Sequence, residues 1–148
     1  MKYYLLTFLL LLLFSGCTIN ESTGMITISN HSALAGCIVT LDNTQLANVS
    51  TGYKTDYWFY QNLKGDITVS GADEVMVATS YDEDNGVFEY KEQTKCEFLM
   101  NHRYQIRVTH ISVSYYGMTD DQVVAYIEPG IKNGATKGER DFYHYPGE

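Results

Sequence analysis

The chain is poor in basic residues, with ten Lys and Arg against eighteen Asp and Glu and a formal net charge of −8. A surface of this sign repels the phosphates of nucleic acids and the headgroups of anionic lipids. We therefore expect no nucleic-acid partner and no attachment to a membrane through charge. The length of 148 residues suits one domain, because a chain of this size can bury a substantial core without dividing.

The short motifs that usually mark an active site are also missing. There is no G-x-S-x-G turn, no H-E-x-x-H motif, no P-loop and no glycine-rich dinucleotide fingerprint. The histidines have no carboxylate or cysteine spacing typical of a metal centre; they are His31, His102, His110 and His144. We therefore predict that the protein is not an enzyme and uses no cofactor or metal ion.

Beyond residue 17 the sequence has no long amphipathic helix pattern. Short alternating segments recur instead, as where Tyr104, Ile106 and Val108 share one side of an extended chain. Turn residues separate these segments. The pattern predicts an all-β domain over residues 25–128, an antiparallel β-sandwich of about seven to nine short strands, followed by a loop-rich tail over 129–148.

Two segments leave alternatives open. After Thr109 the apolar phase shifts by one residue, to Ile111 and Val113, which indicates either a β-bulge or a new strand. Residues 119–129, TDDQVVAYIEP, begin like a helix cap but are rich in β-branched side chains. We predict a strand there, with a single helical turn as the alternative.

The amino terminus is typical of an export signal. Residues 5–14 are apolar apart from Thr7 and are too few to span a bilayer as a helix. They lead into FSGC at residues 14–17, which resembles the lipobox of bacterial lipoproteins. That resemblance implies a signal peptide over residues 1–16, lipidation of Cys17 and a polar tether over residues 17–24. The alternative is simple secretion after a cut that follows Cys17.

The same resemblance implies a location. In the Gram-negative lipoproteins that this terminus resembles, an Asp directly after the lipidated cysteine marks a protein for retention in the inner membrane. This chain has Thr18 at that position instead. We therefore expect a protein anchored in the cell envelope by lipid, in the outer membrane if the cell is Gram-negative.

With Cys17 lipidated, two cysteines remain, Cys37 and Cys96. An even number in an oxidising compartment favours a disulfide, and the alternation around both residues turns them toward the core. We predict an intersheet disulfide between them, with buried free thiols or a redox pair as alternatives. Their separation, with Trp58 between them, resembles an immunoglobulin-type domain.

Aromatic residues are abundant, with 13 Tyr and one Trp. Alternation sends neighbouring aromatics to both faces of a sheet, so some must be exposed, and exposed Tyr and Trp provide rigid contact surface for proteins or sugars. The alternative is ordinary aromatic content of a β-sheet. The candidate binding surface comprises Tyr57, Trp58, Tyr60, Tyr115 and Tyr116.

An acidic run, Asp82-Glu83-Asp84, precedes Asn85-Gly86. Asn-Gly is a strong hairpin signal, so we predict a solvated turn rather than a calcium loop. Together these features indicate a membrane-anchored lipoprotein with a non-catalytic recognition module for a protein or a glycan. The alternative is a small envelope-structural or inhibitory lipoprotein that blocks a receptor or a hydrolase.

Overall fold

The structure is a computed structural model, and it describes residues 23–130. These residues form ten strands and no helix. The strands are β1 (Gly24–Asn30), β2 (Gly36–Leu41), β3 (Thr44–Ser50), β4 (Lys54–Phe59), β5 (Leu63–Val69), β6 (Glu74–Asp82), β7 (Val87–Glu92), β8 (Lys95–Phe98), β9 (Arg103–Tyr115) and β10 (Met118–Pro129).

The strands form two sheets, which confirms the all-β prediction. One sheet has six strands in the order β4-β1-β9-β10-β6-β7, and the other has four in the order β3-β2-β5-β8. Buried residues from both sheets belong to one hydrophobic cluster, so the two layers pack in a sandwich-like arrangement. The ten strands slightly exceed the predicted number of about seven to nine.

The prediction of a purely antiparallel arrangement is wrong. Strand β1 pairs with β9 in parallel, and β10 pairs with β6 in parallel, so the six-stranded sheet is mixed. Alternation of apolar residues has the same period in either orientation, because it reports which face is buried and not the direction of the neighbouring strand.

The inner face of the six-stranded sheet carries a row of three isoleucines. Ile28 on β1 pairs with Ile106 on β9, which pairs in turn with Ile127 on β10, and all three are fully buried. They face a cluster contributed by the smaller sheet, which includes Val39, Ile67 and Phe98. Burial of these side chains supplies the driving force that holds the two sheets together.

Strands β9 and β10 form one long hairpin with an unbroken register, from the pair Tyr115 and Met118 to the pair Tyr104 and Pro129. The apolar phase shift after Thr109 is therefore neither a bulge nor a new strand. Up to Val108, the apolar side chains of β9 lie on the inner face and pack in the core. Beyond Val108 that face is no longer covered, and the apolar side chains lie on the opposite face of the strand. The strand prediction for residues 119–129 is confirmed, and the alternative helical turn is not formed.

The outer part of this hairpin has no strand beside it among the described residues. The pairing of β1 with β9 ends at Val108, and the pairing of β6 with β10 begins at Val124. Residues 109–122 therefore form a two-stranded projection beyond the rest of the sheet, which we call the arm. Because its two outer edges are unpaired, the arm presents free backbone groups as well as side chains.

Candidate functional site

The predicted lipid anchor lies outside the described residues. This applies to the signal peptide over 1–16, to Cys17, to nearly all of the tether over 17–24 and to the tail beyond Gly130. Within the described part of the chain, the structure has no helix with the length and apolar character needed to cross a membrane. Lipidation of Cys17 therefore stays a prediction.

The predicted disulfide is wrong, because Cys37 and Cys96 are both free and buried. They lie in the same sheet, on β2 and β8, with β5 between them. Cys96 is paired with Gly65 on β5, whereas the register of β2 brings Cys37 level with Gly71, six residues further along. Two strand spacings and six residues of rise separate the Cα atoms by about 20 Å, far more than a disulfide spans.

Both thiols lie in the core, where their reactivity is low. Burial raises the pKa of the Cys37 thiol. Burial, with the nearby charge of Asp66, raises the pKa of the Cys96 thiol to about 12. Because the thiolate is the reactive form, both groups are protonated and unreactive at neutral pH. Sequence alternation identified their common inward face, but not their distance along the sheet.

We expect alkylation to reveal two protected free thiols. In the Cys17→Ser protein without reductant, iodoacetamide should add no group to the native chain and two groups after unfolding in guanidinium, as read by mass spectrometry. Cys37→Ala and Cys96→Ala should each remove one of the two adducts. An unfolded, unreduced chain that accepts no adduct would show that the cysteines are bridged and would contradict the structure.

The five candidate aromatic residues do not form one surface. Trp58 is paired with Met25, whose neighbour on β9 is Arg103, so Trp58 lies at the level where β9 begins. Tyr115 ends the same strand twelve residues later, about 40 Å away at the usual rise. Trp58 and Tyr60 are exposed at one end of the sheet, and Tyr115 and Tyr116 at the other. Tyr57 is half-buried against the core.

The tip of the arm carries the two most exposed large apolar side chains within residues 23–130, those of Tyr116 and Met118. Tyr115 is 64% exposed, Met118 is 72% exposed and Tyr116 is completely exposed. Tyr116 and Gly117 both have positive φ, 47° and 80°, as in a type I′ turn between two antiparallel strands. A bulky side chain seldom adopts this conformation, so Tyr116 is held at the tip at a cost in backbone strain. Sequence analysis missed Met118, although it lies directly opposite Tyr115.

The two faces of the arm differ in character. One face continues the outer face of the sheet and carries Ile111 and Val113, both half-buried, toward Tyr115 at the tip. On the other face Ser112 donates a hydrogen bond to Asp121 Oδ1 at 2.8 Å, and His110 Nε2 lies 3.8 Å from Asp121 Oδ2. Cross-strand pairs of this kind hold the two strands together where no further strand supports them.

Below the arm, the outer face carries a polar and aromatic network that the sequence did not predict. Tyr90 Oη donates to Glu128 Oε1 at 2.6 Å, and Arg107 Nη2 donates to the same oxygen at 2.9 Å. Arg107 also lies 4.8 Å from the centre of the Tyr126 ring. Burial, with the hydrogen bond and charge of Glu128, raises the pKa of Tyr90 above its usual value. These groups satisfy one another's hydrogen-bonding capacity, so we infer that the network stabilises the fold and does not bind a ligand.

The acidic run forms the predicted hairpin turn between β6 and β7. The Asp82 carboxylate accepts hydrogen bonds from the backbone N–H groups of Asp84 and Asn85, at 3.0 and 3.2 Å, and from the Asn85 side chain at 2.6 Å. These bonds, chiefly those from Asn85, lower the pKa of Asp82. Within residues 23–130, no group of three or more His, Cys, Asp or Glu side chains is arranged to hold a metal ion.

Comparison of the chain with protein-family models, with curated proteins and with solved structures found no match in any of the three. The geometry of the chain itself therefore carries the functional argument.

Proposed function

We propose that this protein is a non-catalytic recognition module of the bacterial cell envelope and that it contacts a protein partner through the tip of the arm. The observation that carries the proposal is the set of exposed apolar side chains at the tip, Tyr115, Tyr116 and Met118. Tyrosine and methionine are both enriched at the centre of protein interfaces, where rigid or adaptable apolar groups fill pockets of the partner.

The shape of the arm supports a protein partner. The arm projects beyond β1 and β6, so its tip is able to enter a recess that the broad faces of the sheets would not reach. Its unpaired edges add backbone hydrogen-bonding groups, a common basis for strand addition between proteins. The turn at Tyr116 and Gly117 holds the backbone of the tip in one conformation before binding, which lowers the backbone entropy lost on association.

The proposal includes a lipid anchor at Cys17 and a short tether between that anchor and the domain. The FSGC run at residues 14–17 supports lipidation of Cys17, and six residues, five of them polar, separate Cys17 from β1 at Gly24. A tether of that length reaches at most about 25 Å. The domain would therefore act close to its membrane, at the outer membrane if the cell is Gram-negative. The alternative is a secreted form cut after Cys17.

An inhibitory role is the second candidate, and the projecting arm is again what favours it. A hairpin that stands clear of its domain is suited to enter and block the cleft of a receptor or a hydrolase. The two candidates differ in outcome, because an inhibitor lowers the activity of the partner in proportion to its occupancy, whereas a simple recognition module leaves it unchanged.

The test is recovery of partners from native envelope extracts with the full-length chain. We expect a partner whose recovery falls at least about tenfold with the double variant Tyr115→Ser/Tyr116→Gly, because loss of interface aromatics commonly costs more than 1 kcal/mol each. Glycine suits the positive φ at position 116, so the turn itself is retained.

The matched control is Tyr60→Ser, because Tyr60 is 66% exposed, nearly the same as Tyr115, but lies at the other end of the sheet. It should recover the partner at the wild-type level. Equal recovery by the tip variant would refute the arm as the recognition surface. In the same cells, labelled fatty acid should mark the wild-type chain but not Cys17→Ser; equal labelling of both would refute the lipid anchor.

A further inference from the structure

The end of the six-stranded sheet opposite the arm carries Trp58 and Tyr60, both exposed. At this end, which we call the basal end, β1 and β9 begin and β4 ends. Trp58 is 51% exposed and lies one residue before the end of β4, an edge strand of the sheet. Tyr60 is 66% exposed and follows β4 directly. Exposed aromatic side chains that lie close together mark surfaces that contact a partner or a membrane.

The lipid anchor proposed above holds this same end of the domain near the bilayer. Met25, which is paired with Trp58, is the second residue of β1, and β1 is the first strand after Cys17. The chain is fixed to the domain from residue 23 onward, because the Thr23 carbonyl accepts a hydrogen bond from Asn101 N at 3.0 Å. A tether with a reach of at most about 25 Å therefore leads from the lipid to the basal end and not to the arm.

The side chains at the basal end suit the boundary between lipid headgroups and acyl chains. Tryptophan and tyrosine are enriched at that boundary, because each combines an apolar ring with a polar N–H or O–H group. Met25 is paired on its other side with Arg103, which is exposed. Trp58, Met25 and Arg103 thus form one row across the outer face of the sheet. An arginine in this position places its charge among headgroups while its stem lies against apolar groups.

The acidic groups at the basal end lie at the other edge of the sheet. Strand β6 runs parallel to β10, so the turn of Asp82, Glu83 and Asp84 that follows it is also basal. Four strand spacings separate β6 from β4, which is about 19 Å. Asp56, the nearest carboxylate on β4, lies further toward the arm and accepts a hydrogen bond from Thr27. The edge that carries Trp58 is therefore able to meet lipid while the acidic turn stays in water.

From this arrangement we propose that the edge formed by Trp58 and Tyr60 lies in the headgroup region of the membrane that holds the Cys17 lipid. The contact fixes the orientation of the domain, with the arm directed away from the bilayer. Tyr115 lies about 40 Å from the level of Trp58, so the tip is presented well above the lipid surface. The inference rests on the lipid anchor proposed above, because two aromatic side chains without an anchor bind a bilayer only weakly.

The test uses Trp58 as its own reporter, because the chain contains one tryptophan. The lipidated chain is purified from envelope membranes and reconstituted in phosphatidylcholine vesicles, with and without bromine on the acyl chains. Phosphatidylcholine carries no net charge, so attraction between charges plays no part. We expect the brominated vesicles to quench the emission of Trp58, because bromine quenches only an indole ring that reaches the acyl chains.

Two matched variants move the reporter to other parts of the domain. Both carry Trp58→Phe, which keeps an aromatic ring on β4. One adds Tyr115→Trp at the tip of the arm, and the other adds Glu83→Trp at the acidic turn. Neither reporter should be quenched, and both should emit at longer wavelength than Trp58, since each lies in water. Envelope extraction removes the bilayer, so Tyr60→Ser remains a valid control for recovery of the partner.

The outcomes separate this contact from the anchor itself. Unquenched Trp58 in a chain whose Cys17 carries labelled fatty acid would overturn the contact and leave the anchor in place, whereas absence of the label would overturn both. Equal quenching of all three reporters would show that the domain has no fixed orientation and would refute the proposal. The chain beyond Gly130 also begins at the basal end. Short-wavelength emission without bromine quenching would show that this segment covers Trp58 in place of lipid, and would equally refute it.

Discussion

Ile106→Ala should lower the free energy of unfolding by about 4 kcal/mol, near the upper part of the range for large-to-small changes in a closely packed core. Ile106 is fully buried between Ile28 and Ile127 on the inner face of the six-stranded sheet. Truncation removes its apolar contacts and leaves a cavity that two paired neighbouring strands cannot collapse to fill. Urea unfolding, followed by circular dichroism, measures the loss as a lower midpoint at unchanged slope.

The matched control for this prediction is Ile111→Ala on the same strand. Ile111 lies in the arm and is only half-buried on the outer face, so its truncation should cost about 1 kcal/mol, in proportion to the smaller apolar area that leaves contact. If both variants lose the same stability, the division of β9 into a core segment and a projecting arm is wrong.

Asn30→Ala should lower the free energy of unfolding by about 3 kcal/mol. The Asn30 side chain is completely buried, and its amide nitrogen donates to the carbonyl oxygens of Leu34 and Val49, both at 3.0 Å. Its amide oxygen accepts from Ser32 N at 3.0 Å and from Ser32 Oγ at 2.7 Å. All four hydrogen-bonding positions of the amide are therefore used, and alanine leaves their partners buried without a replacement.

This network joins the end of β1 to the loop before β2 and to β3, so it ties the larger sheet to the smaller one. Asn48→Ala is the control, because Asn48 is exposed on β3 and its loss should change stability by no more than about 0.5 kcal/mol. Guanidinium or urea unfolding of the two variants beside the wild type gives the comparison. A loss below about 1 kcal/mol for Asn30→Ala would show that the network is not maintained in solution.

The consequences of the fold for function are clearest at the arm. The arm exists because β9 and β10 continue past the ends of β1 and β6, and its tip is apolar because the sequence places Tyr115, Tyr116 and Met118 there. The tip variant described above tests whether the arm is the recognition surface.

Sequence reasoning was reliable where the signal is local. The alternation of Tyr104, Ile106 and Val108 identified the buried face, and the Asn85-Gly86 pair identified a hairpin turn. It was misleading at Cys37 and Cys96, where a correct inward orientation was taken as proximity. The two residues share a face of one sheet but lie far apart along β5, and nothing local encodes that offset.

The sequence by itself determined the all-β class, the face that each strand buries, the acidic charge and the resemblance of the amino terminus to a lipoprotein signal, since these depend on composition and on the two-residue period of extended chain. Only the tertiary structure decided the parallel pairs, the separation of the two thiols and the arm. These features depend on which distant strands lie side by side and in what register, a choice made by packing of the whole chain.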